Sequence, residues 1–373
     1  MKRIAITGAN GFVGRNLRQR LGEIGGMSVE CFGRDNQPAE LSTLLADAAA
    51  VFHLAGVNRP TDPGEFARGN TGLTEELCRA LAAVAENHGR TPSVIFASSI
   101  QAERDNPYGR SKRAAEDLLL QAAREAGFLL RIFRLPNVFG KWARPNYNSA
   151  VATFCHNVAR GLPIEVHAAD APLSLVYVDD VIDRFLGVLH GDAGTELYDV
   201  VAPRYETTVG EVAGLIREFH ASRSSLVTER VGQGLVRALY ATYMSYLPTD
   251  LFAYEVPRYG DPRGAFVEML KTRDSGQFSY FTAHPGVTRG GHYHHSKTEK
   301  FLVIRGDARF RFRHVQTGES HELRTSGASP VIVETIPGWT HDITNVGADE
   351  LIVMLWANEI FDRNRPDTIS CPL

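Results

Sequence analysis

The sequence predicts two domains of different class: a doubly wound parallel α/β sheet, then an all-β antiparallel barrel. Three observations predict this. Over the first 200 residues short apolar runs alternate with helix-period stretches, the pattern of strands covered by crossover helices. After about residue 250 the apolar runs become short, alternating and punctuated by glycine, as in a barrel or sandwich. Histidine shifts with the texture, and seven of the 13 histidines fall in the last 123 residues.

Ile4–Thr7 reads as the first strand. Val13, Leu17, Leu21 and Ile24 then recur at spacings of four, four and three, one face of a helix. Val29–Phe32 and Val51–Leu54 read as the next strands. Leu73 to Ala85 is rich in Ala, Leu and Glu and reads as a helix. Val94–Ala97 and Leu129–Arg134 read as strands flanking a helix over Ser111–Ala126. Ser224 to Tyr259 carries no strong β signal and reads as a helical connector. The boundary is placed there, with residues 1–250 as the α/β domain and 251–373 as the β domain. Phe301–Ile304, Arg309–Phe312, Val331–Ile336 and Leu351–Trp356 read as barrel strands.

A length of 373 residues suits two or three domains of about 150 residues. At 43% hydrophobic and 22% charged residues, disorder and collagen-like repeats are excluded. The net charge of −3 gives no electrostatic footprint for nucleic acid or an anionic membrane. No run of about 18 apolar residues exists to span a bilayer. The N-terminus opens directly on a strand, without a secretory apolar region. Cys31, Cys78, Cys155 and Cys371 include no C-x-x-C pair, which fits a reducing cytoplasm.

Gly8-Ala9-Asn10-Gly11-Phe12-Val13-Gly14 falls between the first strand and the first helix. Glycines there permit a tight turn and let backbone N–H groups approach a pyrophosphate at a helix N-terminus. Arg34 lies 20 positions past Gly14, where the residue type separates NAD from NADP. A guanidinium pairs with a 2′-phosphate, so NADPH is expected, while Asp35 leaves a ribose-hydroxyl acceptor open. Tyr108-Gly109-Arg110-Ser111-Lys112 puts a phenol and an ammonium about one helical turn apart. A nearby ammonium favours phenolate and prepares the tyrosine to exchange a proton with a carbonyl oxygen. Ser98-Ser99 ends the preceding strand, where a hydroxyl can orient the same oxygen.

These motifs resemble the extended short-chain dehydrogenase/reductase family, whose first domain is a Rossmann fold. The resemblance rests on Gly8–Gly14, Val51-Phe52-His53-Leu54-Ala55-Gly56, Ser98-Ser99, Tyr108 with Lys112, Arg134-Leu135-Pro136-Asn137-Val138-Phe139-Gly140 and Val176-Tyr177-Val178-Asp179-Asp180. It implies Tyr108 as acid/base and Lys112 as the residue that holds the cofactor ribose and tunes Tyr108. It implies Ser99, with Ser98 as the alternative, on the reacting oxygen, and Asn137 on substrate. It implies cofactor contacts at Gly8, Asn10, Gly11, Phe12, Val13, Gly14, Arg34, Leu54, Ala55, Gly56, Lys112 and Leu135. His53 is expected to be structural. One departure is that Ser99 and Tyr108 stand only nine residues apart, shorter than usual in extended members.

Gly286 to Gly306 reads G-x5-H-x-H-x4-E-x6-G, and Pro337-Gly338-Trp339-Thr340-His341 follows in a second stretch. Residues two apart on a strand share a face, so His292 and His294 can point into one barrel. Glu299 and His341 complete a ligand set suited to zinc, iron, manganese or nickel, and zinc fits a non-redox role. His295 reads as a loop histidine on the solvated barrel mouth. The two stretches resemble the two motifs of the cupin family, with a jelly-roll barrel. Asp261-Pro262-Arg263-Gly264-Ala265-Phe266 and Gly286–Tyr293 resemble its deoxysugar 3,5-epimerase branch. That branch implies Arg263 and Arg289 on substrate and His292 as a free base, an alternative to His292 as a metal ligand.

The order of the two halves resembles the bifunctional CapF family of bacterial capsule and O-antigen assembly. The resemblance implies C3 epimerisation of a UDP-2-acetamido-2,6-dideoxy-4-hexulose and C4 reduction to UDP-2-acetamido-2,6-dideoxy-L-talose, in the UDP-N-acetyl-L-fucosamine pathway. The chemistry connects, since a C4 ketone acidifies the C3 hydrogen and remains available for hydride. Alternatives are a reductase whose barrel only dimerises, a non-catalytic NADPH sensor, and a cupin dioxygenase. Because barrel edges are often covered by partner strands, a homodimer is expected.

Overall fold

The structure is a computed structural model. It describes residues 2–33, 35–60, 62, 64–192, 196–256, 258–261, 264–267, 270–272, 276–359 and 364–373, with backbone alone at 258–261, 264–267, 271–272, 277 and 279. The chain divides into two compact units. One comprises Met1–Ser149 and Leu173–Glu206, the other Ala150–Pro172 and Thr207–Leu373.

The first unit is built on β1 (Lys2–Thr7), β2 (Met27–Phe32), β3 (Ala48–His53), β4 (Ser93–Ser99) and β5 (Leu130–Leu135). With a short β8 (Tyr198–Asp199) they form one sheet in the order β2-β1-β3-β4-β5-β8. Every registered pair in it is parallel. Strand order reverses between β1 and β3, and in such sheets the ligand crevice opens beyond the strand ends at that point. Beside this sheet, β6 (Asn137–Phe139) pairs in parallel with β7 (Pro172–Tyr177).

The crossover helices are α1 (Phe12–Ile24), α2 (Glu40–Ala46), α3 (Leu73–His88), α4 (Pro107–Ala126) and α6 (Val178–His190); α5 (Ala150–Val158) belongs to the second unit. Helix α1 buries Leu17 and Leu21 as its period predicts. Ile24, expected on the same face, is exposed, because the helix ends there and Gly25 turns the chain away. Leu77, Leu81 and Val84 of α3 and Ala115 and Leu119 of α4 pack with Val51, Val94, Phe96 and Ile132 into one apolar core. Helix α4 begins at Pro107 rather than near Ser111: Pro suits the first turn, and the Asn106 side chain accepts the Gly109 N–H at 2.8 Å.

The second unit carries α5, α7 (Val209–Ser225), α8 (Gly234–Met244) and the β-rich half of the chain. Its strands are β9 (Ala253–Glu255), β10 (Gln277–Ala283), β11 (Thr288–Tyr293), β12 (Glu299–Arg305), β13 (Asp307–His314), β14 (Ser320–Ser326), β15 (Val331–Glu334), β16 (Trp339–Asn345), β17 (Leu351–Ala357) and β18 (Ile369–Ser370). They form two five-stranded sheets, β9-β15-β12-β17-β10 and β14-β13-β16-β11-β18. All registered pairs within them are antiparallel. Strand β15 stops at Glu334, short of the expected Ile336, and α8 occupies the stretch read as connector.

Buried charge joins α7 to the strands. Glu334 on β15 is 1% exposed and accepts from Arg223 on α7 and from Lys300 on β12. Tyr254 accepts from Lys300 at 3.0 Å, and the Arg223 guanidinium lies 4.4 Å over the Tyr254 ring. Burial alone would raise the Glu334 pKa, and the two cations overcome it and hold the carboxyl low. Removing one partner of such a buried set leaves charges uncompensated. Glu334→Ala should therefore lower unfolding stability by about 3–5 kcal/mol, read from chemical denaturation of the full chain. A loss under about 1 kcal/mol would show that water reaches the site.

Candidate active site and metal centre

In the first unit the glycine turn closes on the end of β3. Gly8 has φ +74°, and a Cβ there would lie 2.6 Å from the Ala55 nitrogen. A Cβ on Gly14 would overlap the Gly8 carbonyl oxygen, so helix and turn approach only as glycines. Gly11 is the N-cap of α1 and no side chain caps that end. The first-turn N–H groups at Phe12 and Val13 are therefore presented at the switch point. Asn10 is exposed, and its carboxamide oxygen accepts from Arg18 at 3.3 Å. Leu54 N–H donates to the Thr7 carbonyl at 3.1 Å, and Ala55 N–H to the Thr7 hydroxyl at 3.3 Å. Leu135 is buried at the end of β5. Arg34 lies outside the described residues.

A directional chain of hydrogen bonds fixes His53. Thr74 donates to the Asn70 carbonyl at 2.7 Å, so its oxygen accepts from His53 Nε2–H at 2.9 Å. His53 Nδ1 then accepts from Thr7 at 2.7 Å. The ring is fully buried against Phe96, and burial pushes its pKa down to about 3. It is a neutral structural histidine, as expected. Asn70 extends the chain: its Oδ1 accepts Val57 N–H at 2.8 Å and its Nδ2 donates to Ser111 at 2.9 Å. Ser111 donates to the Tyr108 carbonyl at 2.8 Å.

Tyr108 stands half-buried on the first turn of α4, its ring 5.8 Å from Phe66. Ser99, whose hydroxyl accepts the Gln101 N–H at 3.2 Å, lies near enough to the phenol to favour its ionised form. Ser98 is engaged elsewhere, donating to Glu116 at 2.5 Å. Burial pushes the Tyr108 pKa up and Ser99 only partly opposes it. This differs from the expected lowering by Lys112, because burial is the larger effect. Lys112 Nζ donates to the Ala97 carbonyl at 2.8 Å and lies 4.6 Å over the Phe96 ring. A Cβ on Gly56 would lie 3.6 Å from it, so the ammonium and Gly56 are close neighbours. Burial pushes Lys112 down to about 8, against the raising effect of Glu116.

The sequence reading missed Glu116. It is fully buried, accepts from Ser98, and takes a fork from Arg134 with contacts of 2.6 and 3.0 Å. Its position four residues past Lys112 on a helix was the available signal. Asn137 is exposed on β6 and donates to the Ser174 carbonyl at 3.1 Å.

In the second unit His292, His294, Glu299 and His341 converge, with one ligand atom from each lying within 4.8 Å of the others. His294 Nε2 is 3.2 Å and His341 Nε2 3.6 Å from Glu299 Oε2. A bulge aims the set. Arg289 pairs with Ile343 and His292 with His341, so two residues three apart face the same side. The extra residue falls at Gly290-Gly291; Gly290 has φ +106°, and a Cβ there would lie 2.8 Å from the His341 carbonyl oxygen. Burial first, then His341 and His294, pushes His292 down to about 4. Burial alone would raise Glu299, yet His294 and His341 hold it well below its ordinary value. Burial likewise lowers His341, and lowered histidines beside a carboxylate held ionised suit the deprotonated donors that a divalent cation takes. Among the described residues neither buried ring nitrogen of His341 makes a hydrogen bond, the Glu299 carboxylate standing 3.6 Å from Nε2, and such unpartnered nitrogens fit a cation ligand.

His295 departs from its expected solvated place. It is buried, its ring 5.5 Å from Tyr293, because the turn after β11 folds inward. Arg289 is exposed, donates to the Thr282 carbonyl at 3.1 Å and lies 5.1 Å over the Phe281 ring. Arg263 lies outside the described residues.

A switch-point glycine turn beside a tyrosine and lysine on one helix face defines the class, a nucleotide-cofactor α/β fold. The chain belongs to the NAD dependent epimerase/dehydratase family, which matches residues 4–200, and residues 259–369 match the polysaccharide biosynthesis C-terminal domain. It is 58% identical over 369 residues to the UDP-2-acetamido-2,6-beta-L-arabino-hexul-4-ose reductase of Pseudomonas aeruginosa strain PA103, covering 99% of this chain and 98% of that one. The structure of the capsular polysaccharide assembling protein CapF from Staphylococcus aureus matches at TM-score 0.67 and 38% identity, over 100% of both chains. A UDP-glucuronic acid 4-epimerase from Bacillus cereus, solved with NAD, matches at TM-score 0.51 and 18% identity over 58% of this chain and 83% of its own. That likeness is one of fold.

Because Glu116 supports the charge on Lys112, Glu116→Gln should move the Lys112 titration below about pH 8. The 15Nζ resonance of Lys112 followed against pH reads this directly. An unchanged midpoint would show that burial alone sets it.

Proposed function

We propose that this chain is a bifunctional UDP-sugar enzyme that epimerises C3 of a UDP-2-acetamido-2,6-dideoxy-4-hexulose and then reduces C4 with NADPH. The product is UDP-2-acetamido-2,6-dideoxy-L-talose, on the route to UDP-N-acetyl-L-fucosamine. The observation that carries the reduction is Tyr108 and buried Lys112 one turn apart on α4, beside Ser99 at the end of β4. The named activity of the Pseudomonas aeruginosa relative agrees with it. We assign the reductase to residues 1–250 and the epimerase, as a cupin, to 251–373.

NADPH, when bound, supplies a hydride. Gly8, Gly11, Gly14 and the first turn of α1 would hold its pyrophosphate, with Leu54, Ala55, Gly56 and Leu135 along its length and Lys112 at its ribose. Ser99 orients the C4 oxygen. Tyr108 donates its proton to that oxygen as the alcohol forms, which its raised pKa suits. Asn137 lies where sugar would pass.

In the second unit a divalent metal, zinc by the non-redox chemistry, would be held by His292, His294, Glu299 and His341. It would supply stabilisation of negative charge as the C3 proton leaves. Arg289, on the same face as His292, would bind substrate oxygens, and Arg263 is assigned there by resemblance. A homodimer in the cytoplasm fits this reading. The edge strand β10 exposes Phe278 and Tyr280, and the four cysteines are free. No described helix is long and apolar enough to cross a membrane.

The test is NMR in D2O with the UDP-4-keto sugar, first without and then with NADPH. Deuterium should enter C3 before reduction at C4. Tyr108→Phe should cut reduction by about 10²–10⁴-fold with exchange intact. Reduction without any exchange would leave the reductase and remove the epimerase.

A further inference from the structure

The four candidate ligands lie on or just after three separated strands; His292 and His294 meet one short segment directly, and Lys297 and Thr340, close in sequence to Glu299 and His341, meet it too. That segment is 367–372, Asp-Thr-Ile-Ser-Cys-Pro. Strand β18 pairs directly against β11, with His292 opposite Ser370 and Tyr293 opposite Ile369. Cys371 N–H donates to the Gly291 carbonyl at 2.8 Å. Thr340, next to His341, donates its hydroxyl to the Cys371 carbonyl. Thr368 accepts from Lys297 at 3.0 Å.

Asp367 does most. Its carboxylate accepts the N–H of His295 at 2.8 Å and those of Ser296 and Lys297, each at 2.7 Å. It also accepts the Ser296 hydroxyl at 3.0 Å. These bonds fix the turn that separates His294 from Glu299. Three successive N–H groups on one ionised acceptor make a strong, geometrically fixed anchor. The Asp367 backbone carbonyl accepts from His294 Nδ1. A carbonyl only accepts, so Nδ1 carries a proton, and Nε2, 3.2 Å from Glu299 Oε2, is the nitrogen on the cluster side. Such a partner on the far ring nitrogen sets tautomer and orientation of a ligating histidine.

We infer that residues 367–372 are a strap that preorganises the metal centre, with Asp367 as its positioning residue. The inference rests on the reading of the histidine–glutamate cluster as a metal site. Asp367 itself donates nothing to the cation. It spaces His294 from Glu299 and fixes the His294 ring, so that the cluster is assembled before the cation arrives.

The experiment uses the full chain, stripped of metal, titrated with zinc against a chromophoric chelator and with cobalt(II) followed by its visible d–d bands. Asp367→Ala should bind zinc about 10–100-fold more weakly than the wild type. Its cobalt bands should shift and lose definition, a change that loss of general stability does not produce. Asp367→Asn keeps an acceptor oxygen without the charge and should fall between the two. It also serves if the alanine variant fails to fold, because the amide is nearly isosteric. NADPH binding, in the other unit, is the folding control. Wild-type zinc affinity and cobalt bands in both variants, or in Asp367→Asn alone where the alanine variant does not fold, would overturn the strap while leaving the metal centre standing. A wild-type protein that binds neither metal would overturn both.

Discussion

A polar or charged side chain taken out of water must be given a partner, and both sites of this protein are organised by that requirement. In the first unit the buried group is Glu116. It draws in Ser98, Arg134 and, through its charge, Lys112. The consequence is a division of labour between adjacent serines. Ser98 satisfies the carboxylate, and Ser99 is left to the Tyr108 phenol. In the second unit Glu334 locks α7 to the strands, and Asp367 collects the N–H groups of the turn between two candidate ligands. An unpaired buried carboxylate would cost more than any of these contacts contributes.

The same requirement fixes protonation states. His53 is held neutral by burial with both ring nitrogens occupied in one sense. His294 has its Nδ1 committed to a carbonyl. His341 contrasts with them, since it is buried with both nitrogens unsatisfied among the described groups. A ligand needs a ring nitrogen facing the cluster, and His53, with both nitrogens engaged by threonines, has none. Burial alone does not mark a ligand, since His295 is buried with its ring against Tyr293.

Backbone geometry places what side-chain chemistry then uses. At Gly8 and Gly14 the turn comes closer to its neighbours than any Cβ permits. At Gly290-Gly291 an inserted residue rotates the strand so that Arg289 and His292 share a face. Without the bulge, strand alternation would send one of them to the opposite side. The placement of both candidate sites therefore depends on glycines.

Much of this was legible in the chain itself. Periodicity separated the α/β half from the antiparallel half, because burial on one helix face or between two layers imposes a repeat on the sequence. The spacing of Tyr108 and Lys112, and of His292, His294 and Glu299, marked two candidate sites, since these are relations within a few residues of sequence. What required tertiary structure was long-range. The short strand order with its β1/β3 switch point, the fork of Arg134 on Glu116 and the grip of Asp367 on residues 295–297 join segments far apart in sequence. The sign of the Tyr108 shift belongs with them, because it depends on how deeply the phenol is buried. Local spacing determines which groups can act together, and only the packed chain determines which partner each one keeps.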